Sequence, residues 1–362
     1  MLFLLIKILI FVPFLVLGED NIYLIKDIKV VIDNENITKA RDRAKKVAFE
    51  KGFNILLKRI VSEENFGQIN TLTVVDVVKF IKEFKIKKEN NRDSVYVASI
   101  DVNFNKEKID KYLKINNLKV SNIISERFLI LAVHKRLNNL YLWEKSNNWN
   151  KALKNEYDKE NLLNLFFPSQ NYLNKFKISP KETLSENQEK LSNILKFFNK
   201  RSGLIIYLDE TYNTKNENTT SNVELKEFTF NYVNEIKISD QKLKNNTSKG
   251  SQIDLLAKFT MQELNNWWKK RTVVSEYDNS KKKSFFIFSS FSELSESLKI
   301  EEIFINSAFV NSFLPVTISK KRIIYELKSN ENIEKINISL RPFGYKLILN
   351  SGESSFFISK IF

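Results

Sequence analysis

Along the chain, runs of alternating apolar and polar residues are interleaved with stretches in which apolar residues return every three or four positions. Residues Ile22–Ile32 mix β-branched and polar positions as a strand does. A helix is then predicted from Thr38, an expected N-cap, with Ala40, Ala44, Ala48 and Gly52 recurring every four residues as a small-residue ridge. Ile55, Leu56 and Ile60 are expected to anchor its end. A second helix is predicted over Val74–Phe84, with Val74, Val77, Val78 and Ile81 on one face, leading into a strand near Lys85–Glu89 and a turn at Asn90-Asn91-Arg92-Asp93. From Val95 to Phe104 the alternation is unbroken: Tyr96, Ala98, Ile100, Val102 and Phe104 share one face.

Farther on, Phe128–His134 reads as a strand, Ser185–Lys200 as containing a helix, Leu204–Tyr212 as a strand, Asn213–Asn222 as a polar turn, Val223–Ile238 as a strand and Ile253–Arg271 as a helix. That order predicts a central α/β module with two or three layers. Beyond Lys281-Lys282-Lys283, the segments Ser284–Ser290, Glu293–Leu298, Ile303–Phe313, Val316–Leu327, Asn332–Leu340, Tyr345–Leu349 and Ser354–Ile358 give a βαββαβ order with a final hairpin. Such an order predicts a ferredoxin-like module. The expected fold class is therefore α+β and multi-domain, with small mixed sheets each covered by helices. The expected divisions are a signal peptide (1–18), an N-terminal α+β domain (19–120), a central α/β domain (121–280) and the C-terminal module (281–362).

The first residues change the picture. Met1–Leu17 are apolar except Lys7, Pro13 precedes Val16-Leu17-Gly18, and Glu19-Asp20 opens a polar region. This is the layout of a cleavable signal, with cleavage expected between Gly18 and Glu19 and a periplasmic location for the remainder. The alternative, a retained N-terminal anchor, asks for about 20 predominantly apolar residues, and Lys7 interrupts the stretch.

Several short segments of the chain resemble a family of exported alphaproteobacterial proteins known as a domain of unknown function. They are Ala40-Arg41 followed by Ala44, Leu56-Leu57-Lys58-Arg59, Phe84, Ile86 and Glu89 followed by Tyr96, Ala98 and Phe104, the Leu142-Trp143-Glu144 and Asn148-Trp149 segment with Ala152, and Trp268-Lys269. The resemblance implies an envelope location and carries no activity with it.

Composition narrows the chemistry by exclusion. Of the chain, 43% is hydrophobic and 12% aromatic, enough to bury cores. With no cysteine and one histidine, His134, the chain has no disulfide, thiolate site or histidine-rich zinc site. Neither a Gly-x-Ser-x-Gly elbow nor a Gly-Lys-Ser/Thr phosphate loop is present. No cofactor or metal is expected. His134, ending an apolar strand beside Lys135 and Arg136, is expected at an exposed strand edge.

What remains for catalysis is carboxylates. Asp209-Glu210, at the expected end of the Leu204–Leu208 strand, is the leading candidate, although neighbours on a strand point to opposite faces and so do not form a pair themselves. Glu63-Glu64 and Glu301-Glu302 rank below it. Trp143 and Trp149 are candidates for stacking on sugar rings, with core packing as the competing role, and at least one of Trp267-Trp268 is expected against the sheet.

The net charge of +15, with Lys39, Arg43 and Lys46 on one helix face, suits an anionic membrane surface or a solvated face. Nucleic acid is not expected outside the cytoplasm. The sequons Asn218-Thr219-Thr220 and Asn246-Thr247-Ser248 are discounted for a bacterial export route. The missing catalytic motifs favour a non-enzymatic periplasmic adaptor or scaffold that binds another envelope protein or a cell-wall component. A carboxylate-dependent wall hydrolase and a peripheral binder of anionic membrane are the alternatives.

Overall fold

The computed structural model describes residues 22–33, 36–66, 74–92, 94–213, 218–237, 252–273, 283–307, 309–350 and 355–361. The signal segment with Gly18 and Glu19, the Asn246-Thr247-Ser248 sequon, and Lys281 and Lys282 lie outside the described residues. The protein is α+β and multi-domain, with three small sheets of three, six and five strands among the described residues. Two compact units divide it: Met1–Leu56 with Leu72–Asp110, and Leu57–Thr71 with Lys111–Phe362.

In the first unit, β1 (Leu24–Asp33), β2 (Ile81–Arg92) and β3 (Val95–Phe104) form an antiparallel sheet in the order β1-β3-β2. The five alternating residues of β3 are buried. A register shift in β1 between Ile25 and Ile28, with Asp27 at φ 55°, resets the alternation, so that Ile25, Ile28, Val30 and Ile32 all face inward. This bulge is why the sequence alternates only partly there.

The helix α1 (Ile37–Ile60) begins two residues earlier than expected: Asn36, not Thr38, caps it, its Oδ1 accepting from the Lys39 N–H at 3.0 Å. Ala40, Ala44 and Ala48 are fully buried, and a Cβ on Gly52 would lie 2.9 Å from Ile28 Cδ1. The ridge thus lets the helix backbone approach β1. Ile55 is exposed, while Leu56, Leu57 and Ile60 are buried.

The expected helix over Val74–Phe84 is shorter, with α2 (Glu63–Phe66) and α3 (Val74–Val78) as brief turns. β2 takes over from Ile81, because pairing of Ile81 with Phe104 captures the segment into the sheet. The strand continues through Arg92, so the reversal falls later than expected, with Ser94 at φ 65°. The helix α4 (Lys106–Ile115) follows.

The six-stranded sheet carries β4 (Phe128–Arg136), β5 (Asn139–Tyr141), β6 (Leu165–Phe166), β7 (Ser202–Asn213), β8 (Asn218–Thr229) and β9 (Val233–Glu235). Its order is β5-β4-β7-β8-β9, with β6 paired to β4. Helices α5 (Asn148–Glu156), α6 (Pro180–Leu184), α7 (Gln188–Phe197) and α8 (Gln252–Thr272) cover both faces. On one face Leu129, Leu131, Val133, Ile205 and Phe228 pack on Leu191, Ile194 and Leu195 of α7. On the other, Phe128 meets Trp268 of α8 at 5.8 Å, and α5 packs on α8 and β4. Three layers result.

The strand expected over Val223–Ile238 is instead a hairpin. Asn231 N–H reaches Thr229 Oγ1 at 3.2 Å and Thr229 N–H reaches Tyr232 O at 2.9 Å, so the chain reverses after Thr229 and returns as β9.

At Gly203 on β7 an added Cβ would sit 2.7 Å from Leu129 O and inside contact distance of the Phe228 ring. Gly203→Ala is expected to lower stability by about 1–3 kcal/mol through this overpacking. Urea unfolding is the check, and an unchanged midpoint would refute the close approach.

The C-terminal sheet holds β10 (Lys283–Ser290), β11 (Ser312–Ser319), β12 (Arg322–Ser329), β13 (Tyr345–Leu349) and β14 (Ser355–Lys360), with α9 (Leu294–Ile305) and α10 (Ile333–Leu340) between them. The order β11-β12-β10-β14-β13 keeps the expected alternation and closing hairpin, and that hairpin sets β14 parallel to β10. The strand expected from Ile303 is still helix at that point. Ile300, Ile303 and Phe304 recur at helical spacing and are buried, and Phe304, Phe313 and Tyr325 then stack at 4.3 Å per pair. Among the described residues no helix is long and apolar enough to cross a membrane.

Candidate functional site

The residues singled out from the sequence fall in different places. Trp143 and Trp149 are 2% and 0% exposed, and their Nε1 groups donate to Ile178 O at 2.7 Å and Ile206 O at 3.2 Å. Neither ring offers a face to a sugar. Asp209 and Glu210 lie inside β7, not at its end, because the strand runs on to Asn213. They diverge as strand neighbours must. Asp209 takes Lys135 Nζ at 2.9 Å and the hydroxyls of Tyr207 and Thr211 at 3.2 Å each, whereas Glu210 Oε2 lies 2.7 Å from His134 Nε2.

His134, expected to be exposed, is 2% exposed. Its strand is flanked by β5 and β7, so the whole run Phe128–His134 is buried and the histidine needs Glu210 as its polar partner. Burial, reinforced by Asp209, pushes the Tyr207 phenol up to about 12. Glu63 and Glu64 accept from Asn266 Nδ2 at 2.8 Å and Lys270 Nζ at 2.5 Å, and Glu301 accepts from the Tyr325 hydroxyl at 3.0 Å.

Arg41, Glu89 and Tyr96 meet in the first unit. Arg41 donates through Nε at 3.1 Å and Nη2 at 2.7 Å to the two oxygens of Glu89, and Tyr96 OH donates to Glu89 Oε2 at 2.6 Å. The tyrosine hydrogen bond, then the guanidinium, hold the Glu89 carboxyl below its ordinary range. This two-pronged pair ties α1 to β2 at the surface.

In the second unit, a cleft of about 490 Å³ opens between β9 and α8. One wall is the chain at Asn234, Glu235, Ile236 and Lys237. The other is α8, presenting Glu263, Asn266, Trp267, Lys270 and Arg271. Trp267 is half-buried and Arg271 Cζ lies 5.4 Å from its ring centroid.

The floor of the cleft is Glu227, 3% exposed on β8. Its Oε2 accepts from Arg271 Nη1 at 2.6 Å. Its Oε1 is buried with no hydrogen-bond partner, and Arg341 Nη1 stands 4.0 Å away. Arg341 also donates through Nη2 to the Tyr232 hydroxyl at 3.4 Å. Beneath, Ser202 Oγ donates to Glu126 Oε1 at 2.5 Å, and burial pushes the Glu126 carboxyl up against the opposing pull of Ser202, Arg341 and Arg201.

The wall at β9 also has backbone chemistry to offer. Ile236 N–H donates to Leu225 O at 2.8 Å, Thr229 N–H donates to Tyr232 O, and Glu227 faces Asn234 in register. Tyr232, Asn234 and Ile236 therefore spend their backbone groups on β8. The alternation of an antiparallel ladder turns the N–H and C=O groups of Val233, Glu235 and Lys237 outward. Among the described residues β9 is the last strand of its sheet.

Sequence reasoning missed this cleft. One signal for it exists: in Val223, Leu225 and Glu227 the inward alternation of β8 continues onto an acid, and an acid on an apolar face demands partners. The chain matches no protein-family model, and no curated protein matches it.

Proposed function

We propose that the protein is a non-enzymatic adaptor of the cell envelope, exported by way of its apolar leader, that captures an extended segment of another envelope protein along the outward edge of β9. The observation that carries this reading is the pairing, among the described residues, of a terminal strand edge with a facing helix across one cleft. An extended chain laid there gains main-chain hydrogen bonds from Val233, Glu235 and Lys237 and side-chain contacts from Trp267 and its neighbours on α8. Asp209 and Glu210, the acids a hydrolase would have used, are not among the residues lining the cleft and are engaged by Lys135 and His134.

The test uses the full chain with a C-terminal tag, cross-linked in intact cells, in wild-type, Glu235→Ala and Glu235→Pro forms. Proline removes one outward N–H and is tolerated on an edge strand. One envelope protein should be enriched by the wild type and by Glu235→Ala and lost with Glu235→Pro, at unchanged circular dichroism. Equal recovery with Glu235→Pro, or recovery of wall fragments without a protein, would overturn the reading.

A further inference from the structure

The C-terminal sheet carries its helices on one side. Phe313 stacks on Phe304 of α9 and on Tyr325, and α10, which packs on β13, lies against α8 of the central module, so Ile287, Tyr325, Leu327 and Leu347 are buried on that side. Their strand neighbours point the other way. By register, Ile324, Phe288, Phe357 and Ile348 stand side by side across β12, β10, β14 and β13, a row about 15 Å long. The Phe288 and Phe357 rings are 5.7 Å apart. Phe286 and Leu314, each opposite Glu326, widen the row. Phe286, Leu314, Ile348 and Phe357 are exposed. A sheet face turned to water is ordinarily polar, and an apolar patch on it marks a binding surface.

The charges bordering this row select its occupant. Arg322 precedes Ile324 by two residues and Lys346 precedes Ile348 by two, on strands that run the same way, so both bases share the open face and one border of the row. Lys320 and Lys321 continue that border at the β11–β12 turn, beside the exposed Val316 and Ile318. Among the described residues these bases have no carboxylate partner, and the acid on the face, Glu326, is held by Lys328 at 3.2 Å and the Ser284 hydroxyl at 2.7 Å. Glu293 and Glu296 stand at the start of α9, on the covered side, and Glu296 is paired with Lys360 at 2.5 Å. A second copy packed face to face would set one net positive surface on another. A bilayer with anionic headgroups takes both features at once: phosphates receive the bases, and the layer beneath them receives the apolar row.

We infer that the open face of the C-terminal sheet docks on an anionic phospholipid membrane, with Phe288, Phe357 and Ile348 entering the headgroup layer and Lys320, Lys321, Arg322 and Lys346 on lipid phosphates. None of the residues lining the β9 cleft belongs to this sheet, so docking and strand addition are independent.

The test sediments the mature chain, Glu19–Phe362, with vesicles of phosphatidylglycerol and phosphatidylcholine in equal parts, and with vesicles of phosphatidylcholine alone. Binding should be at least tenfold tighter to the anionic vesicles and should weaken at high salt. It should fall at least tenfold in Arg322→Glu/Lys346→Glu and in Phe357→Ser, at unchanged circular dichroism, and stay as in the wild type in Glu235→Pro and in Lys151→Glu/Lys154→Glu, an equal charge reversal on exposed positions of α5. The chain has no cysteine, so Ser290→Cys on the open face and Leu298→Cys on α9 each accept a single polarity-sensitive dye. With anionic vesicles the dye at Ser290→Cys should shift to the blue and the dye at Leu298→Cys should not. No preference for anionic vesicles, an equal loss in the α5 double variant, or an unshifted dye on the open face would overturn the inference. So would a dimer that forms without vesicles and is abolished by Phe357→Ser, since a second copy would then cover the face.

Discussion

Trp149→Ala is expected to remove about 3–5 kcal/mol of folding stability, the range for truncating a fully buried aromatic ring. Trp149 is 0% exposed and heads the largest fully buried side chains. It projects from α5, which packs between β4 and α8, and its Nε1 donates to Ile206 O on the central strand β7. Truncation leaves a cavity inside the helical layer and strips a sheet carbonyl of its side-chain donor. Since whole domains are stable by about 5–15 kcal/mol, one such change brings the second unit near its limit. Urea unfolding followed by far-ultraviolet circular dichroism reads the loss. Trp149→Phe, which keeps most of the ring and drops the N–H, should cost much less. A loss below about 1 kcal/mol for Trp149→Ala would contradict the packing described.

The second large effect is a dependence on pH. Lys269 is 7% exposed, and its Nζ donates to Lys58 O at 3.0 Å and Val61 O at 2.9 Å, closing the C-terminal end of α1. Burial drives its ammonium down to about 8, against an opposing pull from Glu63. Between pH 8 and about 10.5 the unfolded chain holds a proton on this residue that the folded chain has released. Stability attributable to Lys269 therefore rises with pH through that window, by about 3 kcal/mol in total, and the penalty is fully present below it. The unfolding free energy of the wild type minus that of Lys269→Met should grow by that order between pH 8 and pH 10.5. Subtraction cancels the exposed lysines common to both. A difference that stays flat with pH would mean the amine remains charged throughout.

The sequence was most readable where a local pattern decides the structure. The alternation of Val95–Phe104 became β3 with the bounds expected, and Ala40, Ala44 and Ala48 are the buried ridge their spacing promised. Misreadings arose where distant partners decide. His134 looked like an edge residue because its partner Glu210 is 76 positions away on another strand. The apolar run before it was nevertheless a sign of a strand buried on both faces. Ile81 belongs to a helical pattern by itself, yet Phe104 draws it into a sheet.

The cleft was invisible for two reasons. The turn at Phe230-Asn231-Tyr232 lacks glycine and proline, so the hairpin that creates the β9 edge reads as one long strand. Its two walls also come from segments about 30 residues apart, and the amphipathic pattern of α8 shows which rings are buried without showing what faces Trp267. The fold class was thus legible from periodicity, whereas the site depended on tertiary neighbours.

The hydrogen bond from Lys269 to Val61 spans 208 positions. During synthesis at about 5–20 residues per second, the last turn of α1 leaves the ribosome about 10–40 s before the side chain that closes it exists. Through that interval its terminal carbonyls have water or a helper protein as their donors. The end of α1 therefore completes its hydrogen bonding only once α8 has been made.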